Sequence, residues 1–342
     1  MKECLSYDDV LLIPQYSDIR SRDDVDISSQ LGDMKLELPL IASPMDTIAE
    51  HRMAASMSNY GGTTVVHRYN TIEEQVQQVN IARNLSNNPT PFIGAAIGIT
   101  GDYLERAMAL KEAHVSFVCL DVAHGHHIVM KEALKELRKR FNPYTHIMAG
   151  NIATLQGIND LADWGADSVR CNIGGGSICS TRIQTGHGIA GFQTILDCAK
   201  TNRDVQVIAD GGIKNAGDIV KALAAGADAV MCGSLFAGTD ETPGQIFEEA
   251  DGTHWKTYRG MASKEAQVRW RGRYSSFEGV AARVPYRGSV QPILKDLERG
   301  IRSGFSYSGA RTLGELQAKA TFIKQTSSGL SESHTHITSR QW

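Results

Sequence analysis

Net charge is nearly absent from this chain: 35 Lys and Arg face 38 Asp and Glu, for a formal charge of −3. So even a balance provides no global field to gather nucleic acid or an anionic membrane, and a phosphate-bearing small molecule has to be held by local geometry. Cysteine is sparse, six in 342 residues. Without paired short spacings these fit a reducing compartment better than a disulfide framework; five are expected as core filler. No apolar run is long enough to cross a bilayer. The N-terminal stretch through Tyr7-Asp-Asp9 puts acids where a secretory signal would be apolar, so a cytoplasmic protein without membrane association is expected. Also missing are a Gly-x-Gly-x-x-Gly turn after the first strand, a Walker P-loop, zinc-finger spacing and a basic stripe interleaved with aromatics. These absences exclude a dinucleotide held in Rossmann fashion and the common nucleic-acid modules.

What is present is glycine, 33 residues of it, in a chain 42% hydrophobic and 21% charged, the profile of a folded protein with many tight turns. Eight short apolar runs recur: 38–43, 62–67, 92–98, 117–124, 146–151, 168–173, 205–211 and 229–233. They lack clean polar alternation, as strands buried on both faces do. The segments 103–113, 128–141 and 216–225 between them carry apolar residues at helical spacing, which makes repeated βα units. Trp164-Gly-Ala-Asp-Ser-Val-Arg170 and Ala225-Gly-Ala-Asp-Ala-Val-Met231 look like one αβ junction used twice, glycine ending each helix. Eight units predict a single-domain α/β chain over 1–342, a (β/α)8 TIM barrel, in preference to an open doubly wound sheet. All eight strand C-termini then share one face. That face collects Ser43, Met45, Asp46, His67, Asp121, His124, Asn151, Gly174 to Cys179, Asp210 to Gly212, and Gly233-Ser234. Residues 251–288 follow strand eight and break the pattern, as a mobile flap over the open face or a solvated excursion. Segments 289–300 and 312–320 read as the last helices, and 326–342 as a polar tail.

The most informative stretch is Gly174-Gly-Gly-Ser-Ile-Cys-Ser-Thr-Arg182. Glycines after a strand let backbone groups approach a ligand or cation. Cys179 is there either a nucleophile, with Thr181 close enough to position a leaving group or water, or a plain loop cysteine. Gly212 and Gly233-Ser234 end strands seven and eight, where a phosphate cradle with a short helix N-terminus commonly sits, although plain strand-to-helix turns look the same. Asp121-Val-Ala-His-Gly-His-His127 lacks the spaced partner a zinc site needs. Asp121 reads better as an acceptor for a ligand amide or hydroxyl, with His124 a neighbour or a structural imidazole. Arg269, Arg271 and Arg273 face either a second cofactor phosphate or solvent.

The Cys179 stretch resembles the nucleotide-binding loop of the IMP dehydrogenase and GMP reductase family. Tyr7-Asp-Asp-Val-Leu-Leu-Ile-Pro14, Ser43-Pro-Met-Asp-Thr47, Leu120-Asp-Val-Ala-His-Gly125, Ala149-Gly-Asn151, Ile208-Ala-Asp-Gly-Gly212 and Tyr258-Arg-Gly-Met261 resemble it too, nearly end to end. The resemblance implies that Cys179 attacks C2 of a purine nucleotide and that Thr181 and Glu278 handle the leaving group, Glu278 also at the base edge. It implies substrate contacts or support from Ser43, Met45, Asn151, Arg170, Ser177, Asp210, Gly211, Gly212, Gly233, Ser234, Tyr258, Gly260 and Met261. A nicotinamide cofactor would meet Asp121, Val122, Ala123, Arg273 and Tyr274. A monovalent cation, potassium in the family, would lie at Gly174, Gly176 and Cys179, with Glu332, Ser333 and His334 from the tail. A homotetramer and the absence of an inserted regulatory domain are implied as well. Three residues separate Arg273-Tyr274 from Glu278, a tether too short for the hydrolytic flap of a dehydrogenase. The resemblance therefore favours NADPH-dependent reductive deamination of GMP, Asp121-Val-Ala being similar to reductases too. Gly175, where reductases usually carry proline, and Ser331-Glu-Ser-His334 keep IMP dehydrogenase as the alternative, with a divergent or catalytically silent purine-nucleotide-binding homologue behind it.

Overall fold

The computed structural model describes residues 3–273 and 278–334. Strand β1 (Val10–Leu12) is followed by a hairpin of β2 (Ser29–Leu31) and β3 (Met34–Leu36). Eight barrel strands come next: β4 (Leu40–Ala42), β5 (Thr63–Val66), β6 (Ile93–Ile97), β7 (Phe117–Asp121), β8 (His146–Ile152), β9 (Ser168–Cys171), β10 (Gln206–Asp210) and β11 (Ala229–Cys232). Between them run α1 (His51–Asn59), α2 (Ile72–Leu85), α3 (Tyr103–Glu112), α4 (Ile128–Arg140), α5 (Leu155–Trp164), α6 (Thr181–Thr185), α7 (Gly191–Cys198) and α8 (Ala216–Ala224). Every neighbouring pair is parallel, and β11 returns to β4 to close the barrel. All eight expected runs are barrel strands, most a residue or two shorter at their ends.

Strands this apolar divide their side chains between two cores. Ile41, Val65, Ala96, Phe117, Cys119, Met148, Ile208, Ala229 and Met231 fill the interior, and Leu31 and Leu36 of the hairpin join that cluster. Their neighbours Leu40, Val66, Ala95, Val118, Ile147, Val169, Val207 and Val230 pack outward against the helices. The interior is filled closely: a β-carbon at Gly94 would come within 2.3 Å of the Phe117 ring.

The repeated junction is the same device twice. Gly165 and Gly226 take φ of +113° and +110°, a conformation that favours glycine. The aspartate that follows then pairs with the preceding strand through both its groups. Asp167 donates its N–H to the Ile147 carbonyl and accepts from the Ile147 N–H at 2.7 Å. Asp228 does both with Val207, again at 2.7 Å for the carboxylate.

The excursion after β11 is folded. It contains β12 (Phe247–Glu248), β13 (His254–Arg259), α9 (Lys264–Arg271) and β14 (Ala281–Pro285), the three strands forming an antiparallel sheet. The solvated-excursion reading is thereby corrected: ladder hydrogen bonds satisfy the backbone of a segment whose side chains are mostly polar. Helices α10 (Val290–Tyr307) and α11 (Leu313–Lys319) follow, α10 extending seven residues past its expected end at Gly300. Strand β15 (Phe322–Lys324), just before the polar tail, pairs with β1, and α12 (Ser327–Glu332) lies within the tail. Among the described residues no helix is long and apolar enough to cross a membrane. Four of the five cysteines expected in the core are buried; Cys4 is exposed, its sulfur accepting from the Ala190 N–H.

Candidate active site

The barrel's C-terminal face opens into a cleft. The loop after β9 brings Cys179 to it, and α6 begins two residues later at Thr181. The Cys179 thiol donates to Thr181 Oγ1 at 3.2 Å, and the Thr181 hydroxyl donates to Glu278 Oε2 at 2.8 Å. A sulfur nucleophile, a hydroxyl and a carboxylate thus form one proton path from two segments 97 residues apart.

Glu278 is delivered by the sheet after β11. Ser180 N–H donates to the Glu278 carbonyl at 3.0 Å and Val280 N–H to the Ile178 carbonyl at 3.0 Å, so the segment entering β14 runs antiparallel beside the Cys179 loop. On its other side Glu278 N–H donates to the Ala262 carbonyl at 3.1 Å. The expected flap is therefore, in this part, a wall of the cleft. Asp46 and Arg259 pair across its base, and Arg259 N–H donates to Thr47 Oγ1 at 3.2 Å.

The ends of β7, β9 and β10 carry a buried ionic cluster into the same cleft. Arg170 pairs with Asp121 and, at 2.8 Å, with Asp210, whose Oδ2 also accepts from Asn151 Nδ2 at 2.6 Å. Burial works against the Arg170 charge, and the Asp210 and Asp121 carboxylates outweigh it, which holds the guanidinium cationic. Asp121 is thus already engaged by an arginine, where the sequence suggested a free acceptor for ligand. The glycines at Gly211 and Gly212 take φ of +84° and +77°, turning the chain sharply after β10. Across the cleft Ser177 Oγ and Tyr258 Oη are 3.4 Å apart. Burial raises the Tyr258 pKa, keeping its O–H available as a donor. Gly233 is closely overlaid, since a β-carbon there would sit 2.9 Å from the Met45 sulfur and 3.1 Å from Tyr258 Oη. No helix follows Gly233-Ser234; residues 233–238 form turns, so the expected helix N-terminus is replaced by a turn there.

Ser43, Met45, Asn151, Arg170, Ser177, Asp210, Gly211, Gly212, Gly233, Ser234, Tyr258, Gly260, Met261, Cys179, Thr181, Glu278, Asp121, Val122, Ala123, Gly174 and Gly176 all line this one cleft. Arg273 does not; it is exposed beyond the end of α9. Tyr274 lies outside the described residues. Glu332, Ser333 and His334 are exposed at the end of α12 and line no part of the cleft, so within one chain they are not brought to Gly174, Gly176 and Cys179. Among the described residues no cluster of three His, Cys, Asp or Glu is set to hold a metal ion. His124 is exposed, and His67 is buried beneath the mouth with Glu50 at 3.2 Å.

Sequence reasoning missed Arg68, Tyr69 and Asn172, which also line the cleft. Arg68 donates to the Asp121 carbonyl at 3.1 Å, and its buried Nε has no hydrogen-bond partner, the Asp121 carboxylate lying 3.7 Å away. Tyr69 stacks on Trp270 of α9 with ring centroids 6.0 Å apart and planes at 15°. Arg68 also lies 5.5 Å from the centroid of the Tyr69 ring, so an aromatic ring, a guanidinium and the Asp121 carboxylate adjoin in this part of the cleft. The signal available was position: Arg68 and Tyr69 directly follow His67, already placed at a strand end.

The model for the IMP dehydrogenase / GMP reductase domain matches residues 4–336. An inosine-5'-monophosphate dehydrogenase of Cryptosporidium parvum is 36% identical, over 97% of this chain and 94% of that protein. A GMP reductase of Leishmania major is 31% identical, over 99% and 98% respectively. The crystal structure of GMP reductase C318A from Trypanosoma brucei in complex with guanosine 5'-monophosphate superposes with a TM-score of 0.92 at 29% identity, covering 99% of each chain.

Proposed function

We propose that this chain, which belongs to the IMP dehydrogenase / GMP reductase family of oxidoreductases acting on purine nucleotides, is a GMP reductase that converts GMP, NADPH and protons to IMP, NADP+ and ammonium. The observation that carries the reading is the hydrogen-bonded path from Cys179 through Thr181 to Glu278. Cys179 Sγ bonds to C2 of GMP, and its proton leaves along that path. The same path returns a proton to the exocyclic nitrogen, so that the C2–N bond breaks with ammonia as the leaving group. The nicotinamide, when bound, supplies hydride to C2. The C2–S bond then breaks with its electron pair on Cys179, and IMP is free.

Around that chemistry Asp210 and Asn151 suit the ribose hydroxyls, and the Gly211-Gly212 turn, Gly233-Ser234, Ser177 and Tyr258 suit the phosphate. Tyr69, Arg68 and Asp121 would hold the nicotinamide end of the cofactor against the face of the base. A potassium ion at the Gly174, Gly176 and Cys179 carbonyls and a homotetramer belong to the same reading.

The dehydrogenase reading, oxidation of IMP to XMP with NAD, has relatives of that name behind it. It requires a base to hydrolyse the covalent intermediate. Arg273 is exposed and away from the cleft, and three residues separate Tyr274 from Glu278, which weighs toward the reaction that needs no water. The test is product stoichiometry: one ammonium and one IMP per NADPH consumed, abolished in Cys179→Ala with GMP binding retained. Turnover by Cys179→Ala near the parent rate would overturn the assignment.

A further inference from the structure

We propose that Asn172 is a positioning residue for Cys179 and that it acts as one unit with Gly175. The inference rests on Cys179 being the nucleophile, as above, and is independent of which way hydride moves. Asn172 is the residue immediately after β9, and only 3% of it is exposed. Its backbone is fixed at both groups: the N–H donates to the Ile152 carbonyl at 2.8 Å and the carbonyl accepts from Asn151 Nδ2 at 3.1 Å. Its Nδ2 donates to the Gly211 carbonyl at 3.3 Å, tying the loop after β9 to the turn after β10.

The carboxamide lies where a side chain at position 175 would go. A β-carbon at Gly175 would be 2.0 Å from Asn172 Nδ2 and 2.7 Å from its Cγ. Gly175 is not at positive φ, and the three atoms nearest to a β-carbon there all belong to the Asn172 carboxamide. On the other flank, a β-carbon at Gly174 would meet Arg182 Cγ at 2.5 Å, while Arg182 donates to the Ile173 and Ile189 carbonyls at 3.2 and 2.6 Å. The loop is therefore gripped between Arg182 and Asn172, and Cys179 N–H closes on the Gly176 carbonyl at 3.1 Å one residue beyond that grip. Asn172 Oδ1 is buried without a hydrogen-bond partner although the residue lines the cleft. An unpartnered acceptor of this kind is costly to keep, which argues that the carboxamide is there for more than packing.

Three variants test the unit: Asn172→Ala, Gly175→Ala and the two together. Each is followed by kcat, by nucleotide Kd, by the alkylation rate of Cys179 with iodoacetamide and by melting temperature. Displacing a reacting group by about an ångström costs on the order of a hundredfold. Gly175→Ala is accordingly expected to lower kcat and Cys179 alkylation by at least about tenfold, and Asn172→Ala by about threefold, with nucleotide Kd held within about threefold. The double variant is expected to match Asn172→Ala, because the collision is gone. Effects that multiply in the double variant, a Gly175→Ala protein with parental kcat and alkylation, or an Asn172→Ala protein changed in melting temperature alone would each overturn the proposal. If Gly175→Ala does not fold, recovery of a folded, active chain on adding Asn172→Ala is the expected result, and a double variant that stays unfolded overturns it. Should the parent turn over no purine nucleotide, the alkylation rates still decide this proposal while the functional reading fails.

Discussion

Replacing Arg170 with methionine keeps most of the side-chain volume and removes the charge that two buried carboxylates share. The side chains of Asp121 and Asp210 are 15% and 11% exposed, and that of Arg170 is 8% exposed. Deleting one partner of a buried ion pair costs about 3–5 kcal/mol, mostly through the charge left behind. Two contacts soften the loss here, Arg68 Nε at 3.7 Å from Asp121 and Asn151 Nδ2 at 2.6 Å from Asp210. The expected loss is therefore at the lower end, about 3 kcal/mol, read as a shift in urea midpoint at unchanged slope. Because the penalty is electrostatic, Arg170→Met combined with Asp121→Asn should lose less than Arg170→Met alone. A loss below about 1 kcal/mol, the range of an exposed pair, or an equal loss in the double variant, would refute the view of this cluster as a buried charge network.

Thr181→Val removes the hydroxyl linking Cys179 to Glu278 without changing side-chain size, and should lower kcat by about 10² to 10³ at nearly unchanged nucleotide Kd; a loss confined to Kd would contradict the proton path. Trp270→Ala removes the partner of Tyr69. An aromatic pair contributes about 0.5–1.5 kcal/mol, so cofactor KM should rise roughly two- to tenfold in steady-state assays, and an unchanged KM would detach Tyr69 from the cofactor. His146 is buried under the barrel, its Nε2 2.8 Å from Ser168 Oγ, and burial lowers its pKa to about 4 from 6.5. A depressed folded-state value contributes stability that is complete above pH 6.5 and is lost as pH falls toward 4, about 3 kcal/mol in all. In urea titrations at several pH values, His146→Gln should lack that portion of the acid loss, and an identical acid profile in both proteins would contradict it.

The barrel was legible because each of its strands is buried on both faces, and burial on both faces writes a continuous apolar run into the sequence. The sheet after β11 was not. The residues of β14 are mostly exposed, including Arg283, so its order comes from backbone pairing with β13, which leaves no hydrophobic period to read. The pairing of β1 with β15 joins the two ends of the chain and has no local signal at all. In the site, strand-end polar residues located most of the cleft, while Glu278 entered through family resemblance alone. The three glycines at 174–176 were read as room for a ligand. Two of them prove to be room for Arg182 and Asn172, a distinction that depends on where distant side chains come to rest.

Reductive deamination is tested most directly by following the absorbance of reduced nicotinamide in two parallel reactions of the purified chain. One contains GMP and NADPH, the other IMP, NAD and potassium. Loss of absorbance with GMP, and none gained with IMP, is the predicted result. Absorbance gained with IMP while GMP leaves NADPH untouched would contradict the account and assign the covalent intermediate to hydrolysis.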